Sequence, residues 1–252
     1  MPMMNSRTPP RSTPPVFNGT CPVCRSSATR PFQIVGDLRY GTCRKCRAVF
    51  LDPAQRLDPA RELERYRLHR NDVNDPAYRA FLRRLSDPLL ARLPPGREGL
   101  DYGCGPGPAL AAMLREAGHR VEIYDPFFAP DAGALERDYD FITCTEVVEH
   151  FRQPAEEFDR LDRLLRPGGW LGILTSFLTR DDRFATWHYR RDPTHVVFYR
   201  ESTFRFLAAR RSWRCEFPAP NVALLQKASA AGQPHNQTSE SYFVLDTSAA
   251  FR

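Results

Sequence analysis

Four of the seven cysteines stand in two C-x2-C pairs, Cys21 with Cys24 and Cys43 with Cys46, with eighteen residues between the pairs. A tight turn in each pair aims two thiolates at one point. Two such turns make a tetrahedral site, the preference of zinc with soft thiolate ligands. Four protein ligands leave no open position, so one structural Zn2+ is the expected occupant. In so small a segment its binding would supply most of the folding free energy. Two disulfides or four unrelated thiols are the alternative, and the spacing together with a reducing compartment counts against them. Cys104, Cys144 and Cys215 remain as unpaired thiols.

A second group of residues forms a D-x-G-x-G-x-G turn: Asp101, Gly103, Gly105 and Gly107, with Cys104 inside it. Glycines in such a turn allow positive φ and a close approach of ligand to backbone. The turn departs from the dinucleotide fingerprint G-x-G-x-x-G, because Pro108 occupies the place of its last glycine. A carboxylate beside the turn suits a ligand with a cationic amine better than a pyrophosphate. Asp125, followed by Pro126, ends the next expected strand. A carboxylate at that tip accepts both hydroxyls of a ribose; an ordinary loop aspartate is the plainer alternative.

Two further clusters have the residue types for acid–base work. Glu146, Glu149 and His150 form E-x-x-E-H. On a helix these offsets share one face, where they can hold a second divalent metal, or present His150 as a general base. The alternative is a helix start with acidic residues near its N-terminal dipole. The stretch 187–199 concentrates aromatic, His and Arg groups in one loop. There His195 is the candidate base, Asp192 its orienter, and Arg190 and Arg191 candidate anion binders. A structural network that holds the loop is the competing reading. Tyr66 is a weaker candidate for reaching the same ligand.

The elements that must position these groups can be read along the chain. Residues 1–19 carry five prolines among polar residues and read as a disordered tail. Residues 20–52 hold the cysteine pairs between strand-like runs, and 53–95 read as a helical linker, with helices at 60–69 and 77–93. From 96 to 227 strands and helices alternate: strands at 99–104, 120–125, 140–147 and 170–176, helices at 108–117, 154–165 and 202–209. A long polar loop covers 177–197, and a closing strand pair lies at 215–217 and 221–227. This alternation implies a doubly wound, Rossmann-like α/β sheet. Residues 228–252 read as a tail, with Phe243, Val244 and Leu245 a possible docking point.

Composition excludes several classes. Charged residues make up 26% and hydrophobic residues 42%, which is ordinary for a globular chain. No apolar run approaches the ~18 residues of a membrane helix, and the N-terminus lacks the apolar stretch of a secretory signal. A cytoplasmic protein with no membrane partner is expected. The net charge of +6 invites a nucleic-acid reading, but 34 of the 36 basic residues are Arg spread along the chain. A nucleic-acid partner is therefore not expected.

In combination, the turn at 99–107, Asp125, the Thr145–His150 stretch and the Leu-Leu-Arg-Pro-Gly-Gly run at 164–169 resemble class I S-adenosylmethionine-dependent methyltransferases. With the cysteine pairs in front, 20–227 is similar to bacterial small-molecule methyltransferases that carry an N-terminal zinc ribbon. The resemblance implies a seven-stranded sheet whose last strand runs antiparallel. It implies that Asp101 and the glycine turn hold the methionine part of S-adenosylmethionine and Asp125 its ribose, with Pro126 beside it. Thr145 and Glu146 would line the methyl-donor pocket.

Only fourteen residues separate Asp125 from Asp140, where the family usually fits a helix and a strand. The third strand is therefore expected to be short or missing, and adenine contacts do not carry over. Phe127 or Phe128 either stacks on the base or packs on the sheet. The expected activity is methyl transfer to a small-molecule acceptor, most readily on oxygen, with His195, His150 and Glu146 as catalytic candidates. An RNA methyltransferase whose ribbon grips a stem-loop and a non-catalytic cofactor-binding protein are the alternatives.

Overall fold

The computed structural model describes residues 19–68 and 71–229. Apart from their inner ends, the expected tails lie outside the described residues, as do Phe243, Val244 and Leu245. Among the described residues no helix is long and apolar enough to cross a membrane.

Strands β1 (Thr29–Val35), β2 (Leu38–Cys43) and β3 (Val49–Leu51) form an antiparallel meander around the cysteine pairs. Two helices follow, α1 (Pro59–Tyr66) and α2 (Pro76–Leu90). Each starts at an Asp-Pro pair. Asp58 accepts from the amides of Ala60 and Arg61, and Asp75 from that of Ala77. An aspartate cap satisfies orphan amides, and proline at the first helical position supplies the right φ without wasting a donor.

The remaining elements alternate as expected: β4 (Glu98–Tyr102), α3 (Ala109–Glu116), β5 (Arg120–Tyr124), β6 (Tyr139–Thr145), α4 (Pro154–Leu164), β7 (Leu165–Leu174), β8 (Val197–Phe198), α5 (Glu201–Arg210), β9 (Arg214–Ala219) and β10 (Val222–Gln226). Six strands form one sheet in the order β5-β4-β6-β7-β10-β9. β5, β4, β6 and β7 are parallel, and β10 runs antiparallel to both of its neighbours. This is a Rossmann-like sheet of six strands, with the third strand of the expected seven missing. Between β5 and β6 the chain makes only a bridge from Asp125 to Ala129 and a 3-10 turn at Ala132–Leu135.

Strand alternation sorts side chains onto two faces. Phe141, Trp170, Leu174, Val222 and Leu224 face the layer of α2 and α3, with Leu85, Leu89, Leu110 and Leu114. Ile142, Leu171, Ile173, Ala223 and Leu225 face the other layer, where Phe158 of α4 and Phe204 and Leu207 of α5 share one apolar core with the ribbon. The long loop before α5 is not wholly irregular: it ends in β8, which pairs with β3 and extends the ribbon to a four-stranded sheet. The ribbon is thus tied to the loop that carries Asp192 and His195.

Candidate active site

A cavity of about 830 Å³ opens at the carboxyl ends of β4, β5 and β6. Open α/β sheets bind ligands at this edge, because loops leave the strands there in opposite directions. Every residue expected to hold the donor lines the cavity: Asp101, Gly103, Cys104, Gly105, Gly107, Asp125, Pro126, Thr145 and Glu146. So do the catalytic candidates His150 and His195, and also Tyr66, Phe127 and Phe128.

The glycine turn is shaped by close approach. Gly103 sits at φ +79°, and a Cβ there would lie 2.5 Å from the Val147 side chain. A Cβ on Gly107 would lie 1.9 Å from the backbone oxygen of Asn71, so the segment after α1 crosses directly over the turn. Asp125 clamps this arrangement. Its Oδ2 accepts from the Gly105 amide at 3.0 Å, and its Oδ1 accepts from the amides of Phe127 and Phe128 at 2.8 and 3.0 Å. Asp101 is buried and accepts from the Thr143 hydroxyl at 2.8 Å. Burial pushes its carboxyl up to about 6, against the lowering effect of that bond. The Thr145 hydroxyl is buried and has no partner among the described residues. A buried hydroxyl without a partner costs free energy that a bound ligand can return.

The E-x-x-E-H stretch is not the α-helix its spacing implies. Glu146 adopts the left-handed conformation, φ 51°, and only Val148–His150 form a single 3-10 turn. The helix is ruled out because Val196 donates its amide to the Glu149 carbonyl and Glu146 its amide to Leu174, drawing the segment into tertiary pairing. A non-glycine residue held at positive φ stores about 1–2 kcal/mol of strain and marks functional sites.

Glu149 is fully buried. Its carboxylate accepts from the Thr175 hydroxyl at 2.9 Å and from the Tyr189 hydroxyl in a short bond, and those two hydroxyls lie 3.0 Å apart. Burial raises the proton affinity of both Glu146 and Glu149, and for Glu146 the charge of Glu149 adds to it.

The two histidines come from different elements. His150 Nδ1 lies 3.1 Å from the Thr194 carbonyl, and His195 Nδ1 lies 2.7 Å from the Tyr189 carbonyl. A carbonyl only accepts, so each Nδ1 carries the hydrogen, and in the neutral ring Nε2 carries the lone pair. The rings are 4.7 Å apart, centroid to centroid. Asp192 lies close enough to His195 and His150 to interact with them electrostatically. Its carboxylate accepts from the amide and hydroxyl of Thr194, and His195 Nδ1 is bonded to the Tyr189 carbonyl. The expected metal set also changes: Glu149 and His150 group with His195, their ligand atoms all within 4.8 Å of one another, and Glu146 lies outside the set.

Arg190 and Arg191 are not in the cavity wall. Arg190 reaches the Tyr40 hydroxyl at 3.3 Å and the Ala185 carbonyl at 3.1 Å, while Arg152 and Arg160 are the cavity's arginines. Tyr66 donates to Glu62 at 2.7 Å and sets its ring 5.3 Å from His150 and 5.6 Å from Phe127. Sequence reasoning missed Tyr189 as a site residue and Thr175 altogether. The position of Thr175 directly after β7 was the available signal for the latter.

In the ribbon, all four cysteines are buried and their sulfurs lie within 4.8 Å of one another, with 3.5 Å between Cys21 and Cys46 and between Cys24 and Cys43. Zinc–sulfur bonds of ~2.3 Å place tetrahedral sulfurs ~3.8 Å apart, so this donor set fits such an ion. The two knuckles are built alike. Arg25 and Arg47, each just after the second cysteine of its pair, take φ 58° and 66° and donate their amides to the carbonyls of Cys21 and Cys43. The three remaining cysteines are unpaired, as expected.

A family model described as a methyltransferase domain matches residues 66–216, more than half of the chain. The chain belongs to that methyltransferase family. Among curated proteins it is similar to the ubiquinone biosynthesis O-methyltransferase of Thiobacillus denitrificans, 29% identical over 148 residues, covering 49% of this chain and 56% of the relative. The Leptothrix cholodnii protein of the same name is 32% identical over 106 residues, covering 32% of this chain and 44% of that one. The chain thus matches about half the length of these relatives. Among solved structures it is similar to the 1,6-didemethyltoxoflavin-N1-methyltransferase of Burkholderia thailandensis with bound S-adenosylhomocysteine. That match has TM-score 0.46 and 18% identity, and covers 79% of this chain and 99% of that one.

Proposed function

We propose that the protein transfers a methyl group from S-adenosylmethionine to a hydroxyl oxygen of a small molecule. The observation that carries this reading is one cavity that joins the D-x-G-x-G-x-G turn and Asp125 to two histidines of fixed tautomer. When bound, S-adenosylmethionine supplies an electrophilic methyl on a sulfonium. The chain's own residues do the positioning. Asp101 and the turn at Gly103, Cys104, Gly105 and Gly107 receive the methionine part, Asp125 and Pro126 the ribose, and Thr145 and Glu146 the reacting end.

Asp125 Oδ2 keeps a second lone pair beyond its bond to Gly105, which a ribose hydroxyl can use. Phe127, 37% exposed on the cavity wall, offers a ring for the adenine. On the acceptor side, the Nε2 lone pairs of His150 and His195 meet a hydroxyl proton. One imidazole would hold that proton while the oxygen took the methyl of a bound S-adenosylmethionine and the carbon–sulfur bond broke to leave a neutral thioether. Much of the rate comes from holding oxygen and methyl close and collinear.

In the ribbon, Cys21, Cys24, Cys43 and Cys46 hold one structural Zn2+, which closes the two knuckles and carries no substrate. Tyr40 and Phe50 of the ribbon are buried, and Phe32 packs edge-on against Phe184 at 5.2 Å, so these rings are committed to packing rather than to bases of an RNA.

Calorimetry with S-adenosylhomocysteine, followed by methyl transfer from labelled S-adenosylmethionine to a panel of phenols and alcohols, tests the reading. Saturable binding at one site and label on oxygen are expected. An absence of binding overturns the proposal.

A further inference from the structure

We infer that Glu149, His150 and His195 hold a divalent transition-metal ion in the cavity wall, and that this ion takes the acceptor's hydroxyl oxygen as its remaining ligand. Four observations carry the inference. First, one ring nitrogen from each imidazole and one carboxylate oxygen lie within 4.8 Å of one another, close enough to share one ion. Second, each imidazole sets its Nδ1 against a backbone carbonyl, at Thr194 and at Tyr189, which leaves Nε2 for a cation, and His150 Nε2 lies 4.0 Å from Glu149 Oε1. Metal-binding histidines are oriented in this way by their outer hydrogen bond.

Third, the carboxylate is itself held. Thr175 and Tyr189 each donate a hydroxyl to Glu149, leaving further lone pairs for a cation. Fourth, the residues that fix one ligand belong to the segment of another. His150 bonds to Thr194, one residue before His195, and the amide of Val196, one residue after it, donates to the Glu149 carbonyl. This reciprocal bonding locks the turn after β6 to the loop before β8, and so holds the three ligands in register.

The donor set decides the metal class. Two imidazoles and one carboxylate suit zinc, iron, cobalt or manganese, whereas magnesium and calcium prefer oxygen alone. His150 and His195 both line the cavity, so the open coordination positions face the place where an acceptor must sit. A hydroxyl bound to such an ion gives up its proton more readily, and the proton goes to solvent. The oxygen then forms its bond to the methyl as the carbon–sulfur bond breaks. With the ion in place the imidazoles act through it and take no proton themselves. The substrate class narrows to small molecules bearing a hydroxyl that can ligate a metal, a phenol above all. This catalytic role rests on the proposed methyl transfer to oxygen; the binding of the ion does not.

The test uses the whole chain with its ribbon metal in place. Cobalt(II) is titrated in while the visible spectrum and the metal content are followed. The expected result is one cobalt per chain beyond the ribbon's ion. It should show weak ligand-field bands and none of the intense thiolate-to-cobalt charge transfer of a cysteine site. His150→Ala and His195→Ala should lose this cobalt while keeping the ribbon metal and S-adenosylhomocysteine binding. Tyr189→Phe should weaken it ~10–100-fold, as loss of an outer partner does. No additional cobalt in the wild type, additional cobalt seen only by thiolate charge transfer, or uptake undiminished in both histidine variants overturns the inference. The wild-type measurement decides by itself if a variant fails to fold. Failure of S-adenosylhomocysteine binding with cobalt uptake intact overturns the methyltransferase reading and leaves the metal site standing.

Discussion

The ribbon and the cavity each gather ligand-type side chains, but they treat the cost of burial in opposite ways. In the ribbon, four buried cysteines from two short turns face one another, the same backbone geometry recurs at Arg25 and Arg47, and no position opens to solvent. In the cavity, Glu149, His150 and His195 come from two loops, 46 positions apart at their extremes, and the histidines line the cavity. The ribbon's ligands stabilise the fold when an ion joins them. The cavity costs the fold stability: two buried carboxylates, a left-handed glutamate and an unpartnered threonine hydroxyl stand in its wall. The two regions meet at one end of the loop at 177–197: β8, two residues after His195, pairs with β3 of the ribbon.

The largest effect is expected at the ribbon. Cys43→Ser removes one of four thiolates from the proposed zinc site, and such a site's binding free energy, ~10–16 kcal/mol in small zinc modules, is as large as a typical domain's ~5–15 kcal/mol of stability. Because the ribbon shares its core with α4 and α5, the whole chain should lose its cooperative unfolding transition along with its zinc. A variant that melts normally without zinc would separate the two regions and break the comparison.

Next comes His195→Ala, expected to lower methyl transfer ~10²–10⁴-fold, the range for loss of help in removing the hydroxyl proton, whether the imidazole takes that proton or holds the ion that releases it. Its melting temperature and S-adenosylhomocysteine affinity should stay close to wild type. Parallel loss of stability would mean that His195 serves the loop rather than the chemistry.

Asp101 gives a pH test. Its carboxyl titrates at about 6 in the fold against 3.8 unperturbed, so the native state binds more protons than the unfolded state between those values. Stability should therefore fall as pH rises from 3.8 to about 6, by about 3 kcal/mol in total, and change no further from this group above that. Asp101→Asn should flatten this part of the profile of unfolding free energy against pH. An unchanged slope would remove Asp101 from the cavity's stability cost.

The smallest effect is at Glu146. Glycine adopts φ near 51° without the Cβ penalty, so Glu146→Gly should raise stability by about 1 kcal/mol in chemical denaturation while lowering turnover. A destabilised variant would show that the left-handed turn is no strain reservoir.

Much of this was legible because it depends on short-range geometry. Two C-x2-C pairs can make little else, and the glycine turn, Asp125 and the strand–helix alternation led directly to the cavity wall. The missing third strand followed from the fourteen residues left for it. The errors arose where a long-range contact outweighed local spacing. E-x-x-E-H has helical spacing, but the bond from Val196 to the Glu149 carbonyl takes that segment out of any helix. The Tyr189 carbonyl, which bonds His195 Nδ1, and Thr194, which donates to the Asp192 carboxylate, were not foreseen from the spacing. Arg190 looks placed for a ligand and instead packs toward Tyr40 of the ribbon.

The sequence by itself determined which donor types exist, which turns bring thiolates into pairs, and where glycine lets a ligand approach, because each of these is settled within a few residues. Only the tertiary structure decided that His195 stands beside Glu149 and His150, and that the ribbon braces the loop carrying it. Those facts depend on hydrogen bonds and strand pairing between segments far apart in the chain, whose partners no local pattern specifies.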